Sequence, residues 1–236
     1  VNEAVFPCLP PLDTDFFTQL QRVTNDKHQA LIKDVMSDVV DLFGTNFRVT
    51  METVFTTLEH TIRMLETTGD NRAFKRADLK SKRERLLQAI AVVMEESLTE
   101  RRPGGGSSHS PQKCDHHKKL VADILRPRDH VITFNYDCVL DCALREFGSG
   151  KWNPRYGYGC NLGSRGKNLA GDDFWRPSGK LVDEDATIRV HKLHGSLHFD
   201  ITEPRVKLKQ RPYTKQYGDL HFTIIPPEWY KTYGKG

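Results

Sequence analysis

Apolar residues recur at helical spacing in three stretches of the first half of the chain. Leu31, Ile32, Val35, Val39, Leu42 and Phe43 keep a period near 3.6, and Gly44 is suited to stop that helix. Met51, Val54, Phe55, Leu58, Ile62 and Leu65 form a second stripe, closed by Gly69. Leu79, Leu86, Leu87, Ile90, Val93, Met94 and Leu98 form a third, longer one. Stripes of this kind are the core-facing sides of a helical subdomain. Ahead of them, the Pro-rich entry Phe6 to Leu12 and the run Asp13 to Leu20 read as a loop feeding a short helix at Asp15.

The pattern then changes. Arg102 to Pro111 is rich in Gly, Ser and Pro and reads as a flexible loop. His130-Val-Ile-Thr-Phe134 is a β-prone run, short enough for a buried strand. Asn135-Tyr-Asp137 follows as a polar turn, with Asp137 as N-cap, and Cys138 to Leu144 resumes helical spacing. Residues 148–179 hold eight of the 17 glycines together with Trp152, Tyr156, Tyr158, Phe174 and Trp175. Aromatic residues do not suit a mere linker, so this long loop reads as ordered and functional. Ala186 to Val190 alternates as a strand, and His191 to Ser196 ends it in a second polar turn. Leu197 to Ile201 and Leu220 to Ile225 are further β-like runs, the last broken at Pro226 and Pro227.

The chain has 236 residues, which at roughly 150 per domain allows one or two domains. No stretch approaches the ~18 uninterrupted apolar residues of a membrane span. Val1 to Pro7 has neither a basic start nor a long apolar core, so no signal peptide is expected. The balance of 35 basic against 31 acidic residues, +4, does not by itself mark a nucleic-acid binder. Arg72 to Arg85 does carry seven basic and two acidic residues. A solvated helix face explains it, and a phosphate- or nucleic-acid-binding patch is the sharper alternative, without interleaved aromatics to support it. Cys8, Cys114, Cys138, Cys142 and Cys160 are an odd, sparse set, so a reducing cytoplasm is expected rather than a disulfide framework. Cys114-Asp-His-His117 could offer metal ligands, but no second pair follows at a matching spacing, and a solvated loop is the plainer reading.

Two turns carry the candidate chemistry. Thr133, Asn135 and Asp137 stand at one strand end, and His194, Gly195 and Ser196 at another, so their side chains are expected to face one crevice. In α/β sheets that is the end of the strands where ligands bind. Asn offers both a donor and an acceptor, His can act as a general base near neutral pH, and Gly lets a ligand approach the backbone.

These residues resemble a known family. Val131-Ile-Thr-Phe-Asn-Tyr-Asp-Cys-Val-Leu140 resembles the Thr-x-Asn-Tyr-Asp segment of prokaryotic sirtuin-like domains. Lys192-Leu-His-Gly-Ser-Leu197 is similar to their His turn, and Ile224 to Lys231 to the segment that follows it. Leu9 to Phe17 fits the stretch after the family's first glycine motif.

The resemblance implies an α/β fold with a Rossmann-like parallel sheet and an inserted helical subdomain. Residues 1–20 would begin the core, 21–127 would form the helical module with its loop at 102–112, and 128–236 would form the main part of the core. It implies hydrolysis of NAD to ADP-ribose and nicotinamide, with NAD as substrate, by the effector domain of a bacterial antiphage defence system. Asn135 and His194 would be catalytic. Thr133, Phe134, Asp137, Gly195 and Ser196 would bind NAD. A second copy of the chain, a defence-system partner or a sensor domain would complete the assembly.

The family's opening Gly-Ala-Gly-x-Ser loop and its later glycine-rich turn are absent, so the chain is expected to be a piece cut at both ends. Its termini are then expected near the nucleotide side of the sheet. The two Cys-x-x-Cys pairs with which protein-deacetylating sirtuins hold zinc are also absent, so no metal is expected. That makes deacylation, like a non-catalytic nucleotide sensor, an alternative to hydrolysis.

Overall fold

The fold is described, from a computed structural model, for residues 10–68, 73–100, 110–111, 114–159, 175, 177, 180–202, 205–208 and 224–226. Expectations for Gly69, for 102–109, for most of 160–179, for 209–223 and for both chain ends lie outside these residues. Helices α1 (Phe16–Arg22), α2 (Asp26–Phe43), α3 (Met51–Thr67) and α4 (Ala73–Leu98) come first, followed by short strands β1 (Thr99–Glu100) and β2 (Ser110–Pro111). Helix α5 (Asp115–Lys119) runs into a π-helical turn (Leu120–Ile124). Strand β3 (His130–Thr133), helix α6 (Val139–Phe147), a 3-10 turn (Glu184–Ala186) and strands β4 (Arg189–Lys192), β5 (Phe199–Thr202) and β6 (Arg205–Leu208) complete the order.

The chain divides into two compact units, with a break at Ser97/Leu98. The first is helical. Residues 10–20 fall in it: Phe16, Phe17 and Leu20 are buried and the Phe17 ring meets Phe47 edge-on at 5.8 Å. Asp13 accepts from the Glu52 backbone at 2.8 Å, and Thr50 accepts from Thr53 at 3.1 Å, so two side chains satisfy the start of α3. Gly44 ends α2 with φ 84°, a left-handed conformation that favours glycine. The stripes expected on α2 and α3 are buried at Ile32, Val35 and Val39 and at Met51, Val54, Phe55, Leu58 and Ile62. In α4, Leu86, Leu87, Ala89, Ile90, Ala91, Val92 and Val93 are all buried, so this part is packed all round rather than along one face.

Four residues of the basic run, Lys80, Lys82, Arg83 and Arg85, have acidic partners on other helices, so that part is not simply a solvated face. Asp38 of α2 accepts a two-pronged contact from Arg85, at 2.7 and 2.9 Å, and another from Lys82 at 2.8 Å. Lys82 also reaches Asp41 at 3.2 Å, Lys80 reaches Glu66 at 2.9 Å, and Arg83 bonds Glu59 of α3. Side chains committed in this way bind helix to helix and are not offered to phosphates.

The second unit is mixed α/β. β3 and β4 form a parallel pair, while β1 with β2 and β5 with β6 form antiparallel pairs. Its core gathers Leu144, Trp152, Trp175, Ile188, Val190 and Leu208 around α6. Trp152 and Tyr158 of the glycine-rich stretch meet edge-on at 5.7 Å inside it, so that stretch supplies core. β4 begins at Arg189, later than the alternation suggests, because Ile188 N already donates to Lys151 O at 2.9 Å and Thr187 Oγ accepts from Asn153 N at 2.8 Å. His191 and Lys192 are therefore strand residues, and the second turn proper is 193–196. Among the described residues no helix is long and apolar enough to cross a membrane.

The helical unit is expected to weaken in acid. Burial opposes the Asp38 charge, but the hydrogen bonds from Arg85 and Lys82 outweigh it and hold the carboxyl below its usual range. Its contribution is thus complete above about pH 3.9 and is lost as pH falls through the lowered value. Asp38→Asn should cost on the order of 2 kcal/mol at pH 7 in urea unfolding. The gap from wild type should shrink at pH 3. An equal gap at both pH values would remove Asp38 as the acid-sensitive link.

Candidate functional site

The parallel register runs from His130 opposite Arg189 to Thr133 opposite Lys192. Both strands therefore end at one edge, and Leu193 N donates to Thr133 O at 3.0 Å as the chain leaves them. The Thr133 hydroxyl accepts from Asn135 N at 3.1 Å, a local turn that fixes the backbone under the exposed Asn135 side chain. The Asp137 carboxylate accepts from Val139 N at 2.8 Å and so helps start α6, although the cap position falls to Cys138. Gly195 has φ 79°, which a side chain at that position would strain.

The two turns meet through aromatic rings. His194 packs edge-on against Phe134 at 5.1 Å between ring centroids and lies 6.0 Å from Tyr136. It thus contacts the residues on both sides of Asn135. Phe134 is 58% exposed, and with Ile132 and Leu193 it leaves apolar surface beside the turns.

A third segment joins them. Ile224 bridges Gly195, Ile225 N donates to His194 O at 2.8 Å, and the Tyr136 hydroxyl donates to Ile225 O at 2.6 Å. Burial pushes the Tyr136 phenol up, so it stays a donor at neutral pH. Residues 133–137, 193–196 and 224–225 therefore converge from three distant parts of the sequence.

No family model, no curated protein and no solved structure matches the chain.

The Ser196 hydroxyl is turned away from the surface. It is fully buried, donates to Tyr136 O at 3.1 Å and lies 2.7 Å from His198 Nδ1. Beneath the turns lies a polar network that the sequence does not reveal. Asp141 and His198 are fully buried, and the Lys192 side chain is 2% exposed. Lys192 Nζ is 2.9 Å from Asp141 Oδ2 and donates to Asp137 O. The Tyr158 hydroxyl donates to Asp141 Oδ1 at 2.6 Å and lies 2.9 Å from His198 Nε2. Burial alone would push Asp141 up and Lys192 down, but each holds the other charged, so Asp141 is lowered and Lys192 raised. The available signal was one carboxylate inside the apolar run Val139-Leu-Asp-Cys-Ala-Leu144, with no hint of its partner.

Cys114 to His117 lie at the start of α5 rather than in a loop, and they are exposed or half-exposed. Among the described residues no group of three or more His, Cys, Asp or Glu is arranged for a metal ion.

Cys138 and Cys142 lie inside, against the strand. Burial pushes the Cys138 thiol well up and the Cys142 thiol up to about 12. A thiol reacts as its thiolate, so both should resist alkylation in the native protein, while the partly exposed Cys114 reacts. Peptide mapping after native iodoacetamide treatment is the check. Modification of Cys138 or Cys142 at the rate of Cys114 would contradict this packing.

Proposed function

We propose that this chain carries the catalytic turns of a Rossmann-like, sirtuin-like NAD hydrolase. What supports the reading is the convergence of three motif segments at one edge of a parallel strand pair, with Asn135 exposed there and His194 packed beside it. The substrate is NAD and the products are ADP-ribose and nicotinamide.

The chemistry asks little covalent work of the protein. As the bond from the ribose anomeric carbon to the pyridinium nitrogen breaks, its electron pair neutralises nicotinamide. The sugar carbon becomes cation-like, and a water oxygen bonds to it. Asn135 would hold a ribose hydroxyl and that water through its amide donor and acceptor. His194 would take the proton the water loses. Phe134, Thr133, Asp137 and Gly195 would form the nicotinamide end, and positioning would supply most of the rate. In this reading the domain is a cytoplasmic, NAD-depleting effector of antiphage defence, released by an oligomeric state or a sensor partner.

The test is nicotinamide release from NAD by the protein in its full natural length, with and without its activator. Asn135→Ala and His194→Ala should each abolish turnover with the fold intact. If His194 is the base, its loss costs on the order of 10²–10⁴ in rate. The two losses should fall short of additivity, because both residues act on one step. Variants that turn over NAD like wild type would sink the assignment. Tight NAD binding by wild type without release would favour a nucleotide sensor instead.

A further inference from the structure

The residues flanking the proposed base hold the residues that follow the proposed water-positioning Asn. Lys192, two before His194, donates to the carbonyl of Asp137, two after Asn135. Ser196, two after His194, donates to the carbonyl of Tyr136 at 3.1 Å, and Leu197 N donates to the same oxygen at 3.0 Å. The His194 turn is thus pinned, before and after the histidine, to the two residues that follow Asn135. The pins share one foundation. Lys192 is anchored by Asp141 at 2.9 Å. Asp141 is held by the Tyr158 hydroxyl at 2.6 Å. With Tyr158 donating to Asp141, its oxygen accepts from His198 Nε2 at 2.9 Å. The other His198 nitrogen lies 2.7 Å from Ser196 Oγ and 3.2 Å from Cys138 Sγ. The circuit closes on the turn where it began.

We propose that the buried Lys192–Asp141 pair, braced by Tyr158 and His198, is a positioning strut that sets Asn135 against His194 for the reaction. Neither residue touches the surface where substrate would lie, so both act through the turns. A buried ion pair is a poor device for stability, since an apolar pair of similar volume commonly serves as well. What an apolar pair cannot do is donate to the Asp137 carbonyl in a fixed direction. The catalytic consequence rests on the hydrolase reading above, whereas the geometric one does not.

The experiment separates these. Lys192→Met alone strands a buried carboxylate and is avoided. The paired variant Lys192→Met/Asp141→Leu removes both charges at once, and Tyr158→Phe removes only the brace. Nicotinamide release and native-state hydrogen exchange are measured on wild type and both variants in full-length protein. In the paired variant kcat should fall about 100-fold with KM for NAD within about twofold, the mark of misplacement rather than lost binding. The Leu193 and Leu197 amides, which bond across the turns, should exchange at least about tenfold faster, and amides of α2 and α3 should not change. Tyr158→Phe should shift both readouts the same way by less, and it carries the test if the paired variant does not fold. Unchanged kcat in a folded variant would overturn the catalytic role, and unchanged exchange would overturn the strut. Wild type that releases no nicotinamide, with faster exchange in the variants, would retire the hydrolase reading and leave the strut standing.

Discussion

Parallel pairing of β3 with β4 obliges the chain leaving Thr133 to return to the far end of the sheet before Arg189 can begin. That return is α6 and the glycine-rich stretch after it, and it brings its own core. Trp152, Tyr158, Ile188 and Val190 are all buried in that core. The same constraint places the residues after both strands at one edge. The meeting of the Asn135 and His194 turns is thus a consequence of strand direction. An antiparallel pair would have sent them to opposite ends.

Direction alone brings the turns near each other without fixing their heights. A network of charge and hydrogen bonds in the dry interior does that, and its energetics are finely balanced. Carrying Asp141 and Lys192 out of water is costly, and their mutual attraction returns that cost only if the remaining polar atoms are also satisfied. Tyr158 satisfies Asp141 Oδ1 and the Asp137 carbonyl takes one Lys192 donor, while Asp141 Oδ2 has the Lys192 ammonium 2.9 Å away as its ion-pair partner. Asp141 stays charged as pH falls below the usual carboxylate range, and Lys192 as pH rises past the usual amine range. The pair therefore holds through the whole range in which His194 could work as a base.

The parts of this fold legible in the sequence are those set by neighbours along the chain. The stripes of α2 and α3, Gly44 as a stop and the strand-turn-helix at 130–147 are local patterns. The start of β4 was misplaced because Thr187 and Ile188 look like strand residues but spend their hydrogen bonds on Asn153 and Lys151. α5 was hidden in a polar run read as loop. β6, Arg205-Val-Lys-Leu208, does alternate polar with apolar, but over only four residues. The basic run of α4 shows the same limit more sharply. Lys82 and Arg85 look free in sequence because Asp38 and Asp41 lie on another helix. Likewise the sequence offers Asn135 and His194 as a pair, but gives Lys192 no visible reason to be linked to Asp141, fifty-one positions earlier (192 − 141).

The site therefore separates into two layers with opposite solvent requirements. Asn135 and Phe134 are exposed and His194 is half-exposed. Asp141, Ser196 and His198 directly beneath are fully buried, where a hydrogen bond is not exchanged for one to water and its direction persists. A surface Asn or His left to itself samples several rotamers, and each wrong one costs productive encounters. Anchoring the backbone around both residues narrows that sampling without burying either side chain. The inward turn of Ser196 belongs to the same logic: its hydroxyl does more by holding the Tyr136 carbonyl than it could by facing solvent.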